Sequence, residues 1–243
     1  AGRGAAVHMG RRSFRSDSAR AAMPPSIDDW SAWTSRFASF LDDTASAADA
    51  AHDRAHVERV VATARRLARA EGATLEVVLP AAWLHDCVTL PKDAPDRARA
   101  AARAAEAARS FLAEAGYPSA WLAPIAHAIE AHSYSGDVAP ETPEARVVQD
   151  ADRLDALGAV GLARCFLVGG NLGNALYDPD DPFCAERPPD DDTYVLDHLY
   201  AKLLRLPNTM QTEAGRAEAE RRAQFLRTYL DRLAEEIGHP PPS

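Results

Sequence analysis

Three observations predict an all-α protein, a single compact helical bundle. Alanine, arginine and leucine dominate while β-branched and aromatic residues are sparse, a bias toward helix over strand. Apolar residues recur at three- and four-residue steps along most of the chain, and no alternating stretch reads as a strand. At 243 residues and 47% hydrophobic, the chain can bury a sizeable core.

The elements follow in order. After Pro24 and Pro25, Ser26 is the expected N-cap, with Asp28 and Asp29 in the first turn, where negative charge suits the helix dipole. Trp30, Trp33, Phe37 and Phe40 then form a core-facing stripe. A second helix is expected from about Asp53 to Ala70, closing at Gly72, with Val57, Val60, Val61, Ala64 and Leu67 as its apolar face. A third, Leu75 to Asp86, is apolar almost all round and so should be buried. CVTLPKDAP reads as a loop, followed by helices from about Asp96 to Ala115 and from Pro118 to His132. SYSGDVAPETP is a second loop, after which helix runs from Pro143 to Leu157 and continues to Val168. Residues 169–192, rich in Gly, Pro and Asp, read as a long irregular excursion, the kind that serves as a lid or stays disordered. Helices at Thr193 to Leu204 and Glu213 to Ile237 close the chain, which makes 26–239 one domain. Residues 1–25 are basic and polar without the apolar centre of a signal peptide. They read as a disordered or appended tail, with a transit peptide as the alternative and Met9 or Met23 as possible starts.

Composition also excludes classes. A net charge of −9 argues against broad nucleic-acid binding, which needs a basic face. It leaves phosphate esters open, because a bound cation and a few local bases set the field at a site. No apolar run reaches the roughly 18 to 20 residues a membrane helix needs. Cys87, Cys165 and Cys184 are far apart, form no CxxC pair and are odd in number, which suits a reducing, cytoplasmic setting.

The chemistry concentrates in three segments. Two His-Asp dipeptides occur, His52-Asp53 and His85-Asp86, where chance alone gives on the order of one, so context decides. His85-Asp86 ends the most apolar helix, LEVVLPAAWLHD. Burying an unpaired carboxylate costs several kcal/mol, and a cation accepting both side chains removes that penalty. The bland alternative, a helix-end cap turning into solvent, has equal weight on the pair alone. His56, in HDRAHVERV, sits one turn from His52 on an amphipathic helix and alone reads as an ordinary surface or core residue. In VVQDADRLDALGAVG, Asp150, Asp152 and Asp155 flank the core-facing Val147, Val148, Leu154 and Leu157, and Arg153 stands ready to neutralise them.

Taken together, HVERV, AAWLHD and DADRLDALG resemble the H…HD…D pattern of HD-domain phosphohydrolases. More narrowly, HDRAHVERV, WLHDCVTLPKDAPDR, AHSYSGD, QDADRLDALGAVG and HLYAKLLRL are similar, in order, to the motifs of small bacterial HD proteins related to nucleotide pyrophosphohydrolases. The resemblance spans residues 30 to 237 and implies an HD-domain bundle. It implies four metal ligands, His56, His85, Asp86 and Asp152, with Asp150 in reserve. Two imidazoles and two carboxylates suit a divalent ion with open positions: Mn²⁺ first, then Mg²⁺, Fe²⁺, Co²⁺ or Ni²⁺. A structural zinc site would prefer a closed set with cysteine, and Cys87 reads as a small buried side chain. The implied substrate is a small phosphorylated molecule, a nucleotide, with neither nucleic acid nor membrane as partner. Asp86 would also orient the attacking water, and His132 would bind phosphate, with His127 nearby. Lys92, Arg97 and Lys202 would supply cations for phosphate oxygens, and Asp53 and Arg59 would orient His56. Two other functions stay open: a di-iron HD-type oxygenase, with His127 and His132 as extra ligands, and a non-catalytic nucleotide sensor. Oligomeric state leaves no signal.

Overall fold

A computed structural model describes residues 25–44, 54–88, 99–133 and 138–240. His52, Asp53, Lys92 and Arg97 lie outside these. Nine α-helices are described: α1 (Trp30–Thr44), α2 (Arg54–Glu71), α3 (Leu75–Leu84), α4 (Ala100–Glu114), α5 (Ser119–Ala131), α6 (Pro143–Asp155), α7 (Gly158–Leu172), α8 (Asp197–Ala201) and α9 (Glu213–Ile237). A 3₁₀ turn, Leu203–Thr209, joins α8 to α9. Among the described residues the only β-pairing is one isolated parallel bridge, Ala175 with Tyr194. The chain is all-α, as its periodicity predicts.

Helix α3 is the axis. Every residue from Val77 to Leu84 is buried, and α2, α5 and α6 pack around it and against one another. Trp33 and Phe37 of α1 cover one side, fully buried, with Trp33 edge-on to Tyr117 at 4.8 Å. Pro80 lies inside α3 and has no N–H to donate to the Glu76 carbonyl four residues back. The Tyr117 hydroxyl donates to that carbonyl at 2.7 Å, so the helix keeps its proline without an orphaned acceptor in the core.

Helix boundaries differ from expectation in four places. Asp29, not Ser26, caps α1: its Oδ1 accepts the Ala32 N–H at 3.0 Å, while the Ser26 carbonyl accepts from Trp33 Nε1. Helix α3 ends at Leu84, so His85 and Asp86 leave the helix rather than extend it. Helix α7 continues to Leu172, four residues into the expected excursion, and Gly173 closes it in the left-handed conformation at φ 77°. The expected helix from Thr193 to Leu204 is only the five-residue α8 followed by the 3₁₀ turn.

Arg187 organises the excursion after α7. Its guanidinium binds both oxygens of the fully buried Asp197, donates to the Asp181 carbonyl at 3.1 Å and lies over the Tyr194 ring. Asp150, the reserve metal ligand, is committed elsewhere. Fully buried, it accepts the Gln211 and Thr212 N–H groups and the Thr212 hydroxyl (2.7 Å). That hydroxyl in turn accepts the Gly215 N–H and caps α9. A Cβ on Gly215 would come within 2.3 Å of the Asp150 carboxylate. Asp150 is therefore a corner post between α6 and α9, which removes it from the ligand set.

Candidate metal centre

Four packed helices bring the expected ligands together. His56 projects from the first turn of α2, His85 and Asp86 follow the end of α3, His132 follows α5, and Asp152 and Asp155 stand one turn apart on α6. His85 is wholly buried, and His56 and His132 nearly so. His56 Nε2 lies 3.4 Å from Asp152 Oδ1 and 3.9 Å from Asp86 Oδ2. His85 Nε2 lies 3.4 Å from Asp86 Oδ2 and 3.8 Å from Asp152 Oδ1. His132 Nε2 lies 3.5 Å from the other Asp86 oxygen. The donors form two overlapping groups, His56–His85–Asp152 and His85–Asp86–His132, each with its ligand atoms within 4.8 Å of one another.

The far side of each ring fixes its tautomer. His85 Nδ1 donates to the Ala82 carbonyl at 2.8 Å, and His132 Nδ1 to the Ile129 carbonyl. Carbonyl oxygens only accept, so both Nδ1 atoms carry protons. His56 Nδ1 donates to Asp155 Oδ2 at 2.7 Å. In the neutral tautomer all three Nε2 lone pairs then point at the Asp86 and Asp152 carboxylates. His85 Nε2, fully buried, has no hydrogen-bond partner among the described residues. Facing lone pairs repel, so the cluster needs positive charge at its centre, either protons or a cation.

The titration tendencies express the same need. Burial pulls the His56 imidazole down, but hydrogen bonds to Asp152 and Asp155 and their charges outweigh it and raise it to about 9. Burial likewise opposes charge on His85, yet the neighbouring Asp86 raises it. Burial pushes Asp152 up, but the His56 hydrogen bond and the charges of His85 and His132 pull it down to about 2. Asp86 is held well below its ordinary value, against its burial, by His85 and His132. A site that would otherwise collect protons between two carboxylates fits a divalent cation, which replaces those protons without leaving either acid unpaired.

Asp155 was missed as a functional residue. It is buried, holds His56 Nδ1, and accepts from Arg59 Nε at 2.7 Å and Nη2 at 3.0 Å and from Arg164 Nη1 at 2.6 Å. Arg59 thus acts on His56 through Asp155 rather than directly. The one available signal was its position, one turn beyond Asp152. Arg164 lies across the α6–α7 break and gave no local signal. Arg153 donates to the Thr209 carbonyl at 2.6 Å, and its charge acts on Asp150. His127 accepts the Glu141 N–H at its Nε2 and stands outside both ligand groups. Cys87 is buried with its thiol on the Ala104 carbonyl, and burial pushes it up to about 12, so it is no thiolate ligand.

A helical bundle that gathers imidazoles and carboxylates as H…HD…D around one point defines an HD-type metal centre. The chain belongs to the HD-domain superfamily. The family model described as "HD domain" matches residues 54–157, which include all four expected ligands. The uncharacterised protein YpgQ of Bacillus subtilis is 34% identical over 190 residues, covering 76% of this chain and 84% of that protein. The crystal structure of B. subtilis YpgQ in complex with ADP superposes with TM-score 0.61 at 30% identity, over 84% of this chain and 95% of that one. An HD-superfamily hydrolase from Bacillus thuringiensis gives TM-score 0.64 at 30% identity, over 85% and 99%. No helix among the described residues is long and apolar enough to cross a membrane.

Proposed function

We propose that this protein hydrolyses a phosphate ester or anhydride bond of a nucleotide, using one divalent cation held by His56, His85, Asp86 and Asp152. The observation that carries the reading is the cluster itself: Nδ1 protons pinned outward and Nε2 lone pairs converging on two carboxylates. When bound, such a cation lowers the pKa of a coordinated water and polarises a phosphoryl oxygen. The side chains do the rest. Asp155 and the Ala82 carbonyl hold the two ligand imidazoles in one tautomer and rotamer. Asp86, near His85 through one oxygen and His132 through the other, orients the water and takes up its proton. His132 serves as the phosphate-side donor in its imidazolium form, from Nε2, because Nδ1–H stays on the Ile129 carbonyl. Lys92, Arg97 and Lys202 belong to the proposal as cations for phosphate oxygens.

Mn²⁺ is the preferred ion, because a mixed imidazole and carboxylate set lies between the hard oxygen cages of Mg²⁺ and the soft thiolate sites of zinc. Nucleotide substrates are supported by the family and by the YpgQ complex with ADP. The decisive experiment incubates the full chain with nucleoside tri- and monophosphates and simple phosphate esters, with Mn²⁺, Mg²⁺ or Co²⁺, scoring phosphate and pyrophosphate separately. Metal-dependent release absent from Asp86→Ala is expected. Equal release by wild type and Asp86→Ala, or none from any substrate, would end the proposal.

A further inference from the structure

A second feature adjoins the metal centre. Helix α7, the chain before α8 and the start of the 3₁₀ turn enclose a cavity of about 330 Å³. This is the lower end of small-molecule sites, enough for a sugar and a base. Its connection to the centre is Arg164, which lines the cavity and donates to the same Asp155 oxygen that holds His56. Lys202 is a second cation in the lining. The wall also has an apolar part, Val168, Leu172 and Val195.

Two local constraints give the cavity fixed walls. Gly169 lets α7 approach the opposite side, since a Cβ there would meet Val195 Cγ2 at 2.3 Å. Asp191 is held in place: its carboxylate takes His198 Nδ1 at 2.8 Å and its carbonyl takes Asn174 Nδ2 at 3.3 Å. A fixed carboxylate beside Asn174 and His198, an apolar patch, and two cations of which Arg164 is bonded to Asp155, are complementary to a molecule with hydroxyls at one end and phosphate at the other.

We propose that this cavity binds the nucleoside part of the substrate: sugar hydroxyls at Asp191, the base against Val168, Leu172 and Val195, and phosphate oxygens at Arg164 and Lys202, directed to the metal centre. The proposal rests on the nucleotide-hydrolase reading, and its test separates the two. Leu172→Glu adds charge at an exposed wall position, so the fold tolerates it; Val168→Trp fills the cavity. Binding of adenosine and guanosine monophosphates to the Mn²⁺-loaded full chain is measured by calorimetry, alongside KM for nucleoside triphosphates and for inorganic tripolyphosphate, which has the anhydride but no nucleoside. Both variants should weaken monophosphate binding about tenfold or more and raise the nucleotide KM by a similar factor relative to that for tripolyphosphate. Unchanged monophosphate affinity in Leu172→Glu, equal losses for both triphosphates, or no monophosphate binding by wild type would overturn it. If wild type hydrolyses no nucleotide and no phosphate ester, the hydrolase reading falls and the monophosphate titration alone decides for the cavity.

Discussion

Asp155→Asn separates a ligand-orienting carboxylate from a merely structural one. Asp155 receives four hydrogen bonds, one from His56, two from Arg59 and one from Arg164, all between 2.6 and 3.0 Å. The amide keeps the shape but loses the charge, and can turn its NH₂ toward His56 Nδ1. The imidazole would then shift its proton to Nε2, the atom that faces the metal position. Loss of such a partner costs roughly 10- to 100-fold in metal affinity, about 1.4 to 2.8 kcal/mol. Stability falls less than for a sealed ion pair, because the Arg59 and Arg164 side chains keep 36% and 29% exposure and rehydrate. A loss of about 1 to 3 kcal/mol is expected for the metal-free protein, at roughly 2–4 °C per kcal/mol for a chain of this size. The assay is Mn²⁺ affinity by chelator competition, with thermal melts in chelator. Asp150→Asn is the control, buried on the same helix but holding the Thr212 cap of α9: it should lower the melting temperature and leave Mn²⁺ affinity unchanged. A folded Asp155→Asn protein binding Mn²⁺ within about twofold of wild type would refute the reasoning.

Other outcomes follow from the same contacts. His85→Ala or Asp86→Ala should abolish Mn²⁺ binding by calorimetry while helical content by circular dichroism stays near wild type, since neither residue is part of α3. Tyr117→Phe removes the donor that serves the Glu76 carbonyl left over by Pro80, and should destabilise by about 1 kcal/mol in urea melts with no change in metal affinity. Glu218 is drawn down to about 2, first by its hydrogen bonds to Arg221 and then, against burial, by Arg222, which also donates to the Leu154 carbonyl at the end of α6. Because its folded value lies below the ordinary 4.5, its contribution is complete above that value and disappears as pH falls toward 2. Glu218→Gln should therefore cost on the order of 1 kcal/mol at pH 7 and progressively less toward pH 2 to 3 by thermal melts, a modest figure because Arg221 is largely exposed.

How much of the centre could be read beforehand depended on helix geometry. His85 and Asp86 were legible because polar groups ending an almost wholly apolar helix conflict with burial unless something pairs them. The three acids of DADRLD were harder. Successive residues turn by about 100°, so Asp150 and Asp152 diverge by about 200° and cannot share a site, whereas Asp155 lies within about 60° of Asp152. That arithmetic places Asp155 near the ligands and Asp150 on the opposite side, where α9 begins. Arg164 could not be placed this way. Its face depends on the turn at Gly158, whose φ of 72° resets the direction of α7 relative to α6. The same limit hid the cavity, since Asp191 and His198 come beside α7 only through the Ala175–Tyr194 bridge and the Arg187 network. Residues within one helix could be ordered by angle from sequence, while those joined by a left-handed turn or a long connection needed three dimensions. Both kinds meet at Asp155: one turn from a ligand on its own helix, it is the anion on which Arg164 of the next helix converges. A change in how α7 sits would therefore reach His56 by two routes, through that carboxylate and through Arg164 Nη1 itself, 3.3 Å from His56 Nδ1.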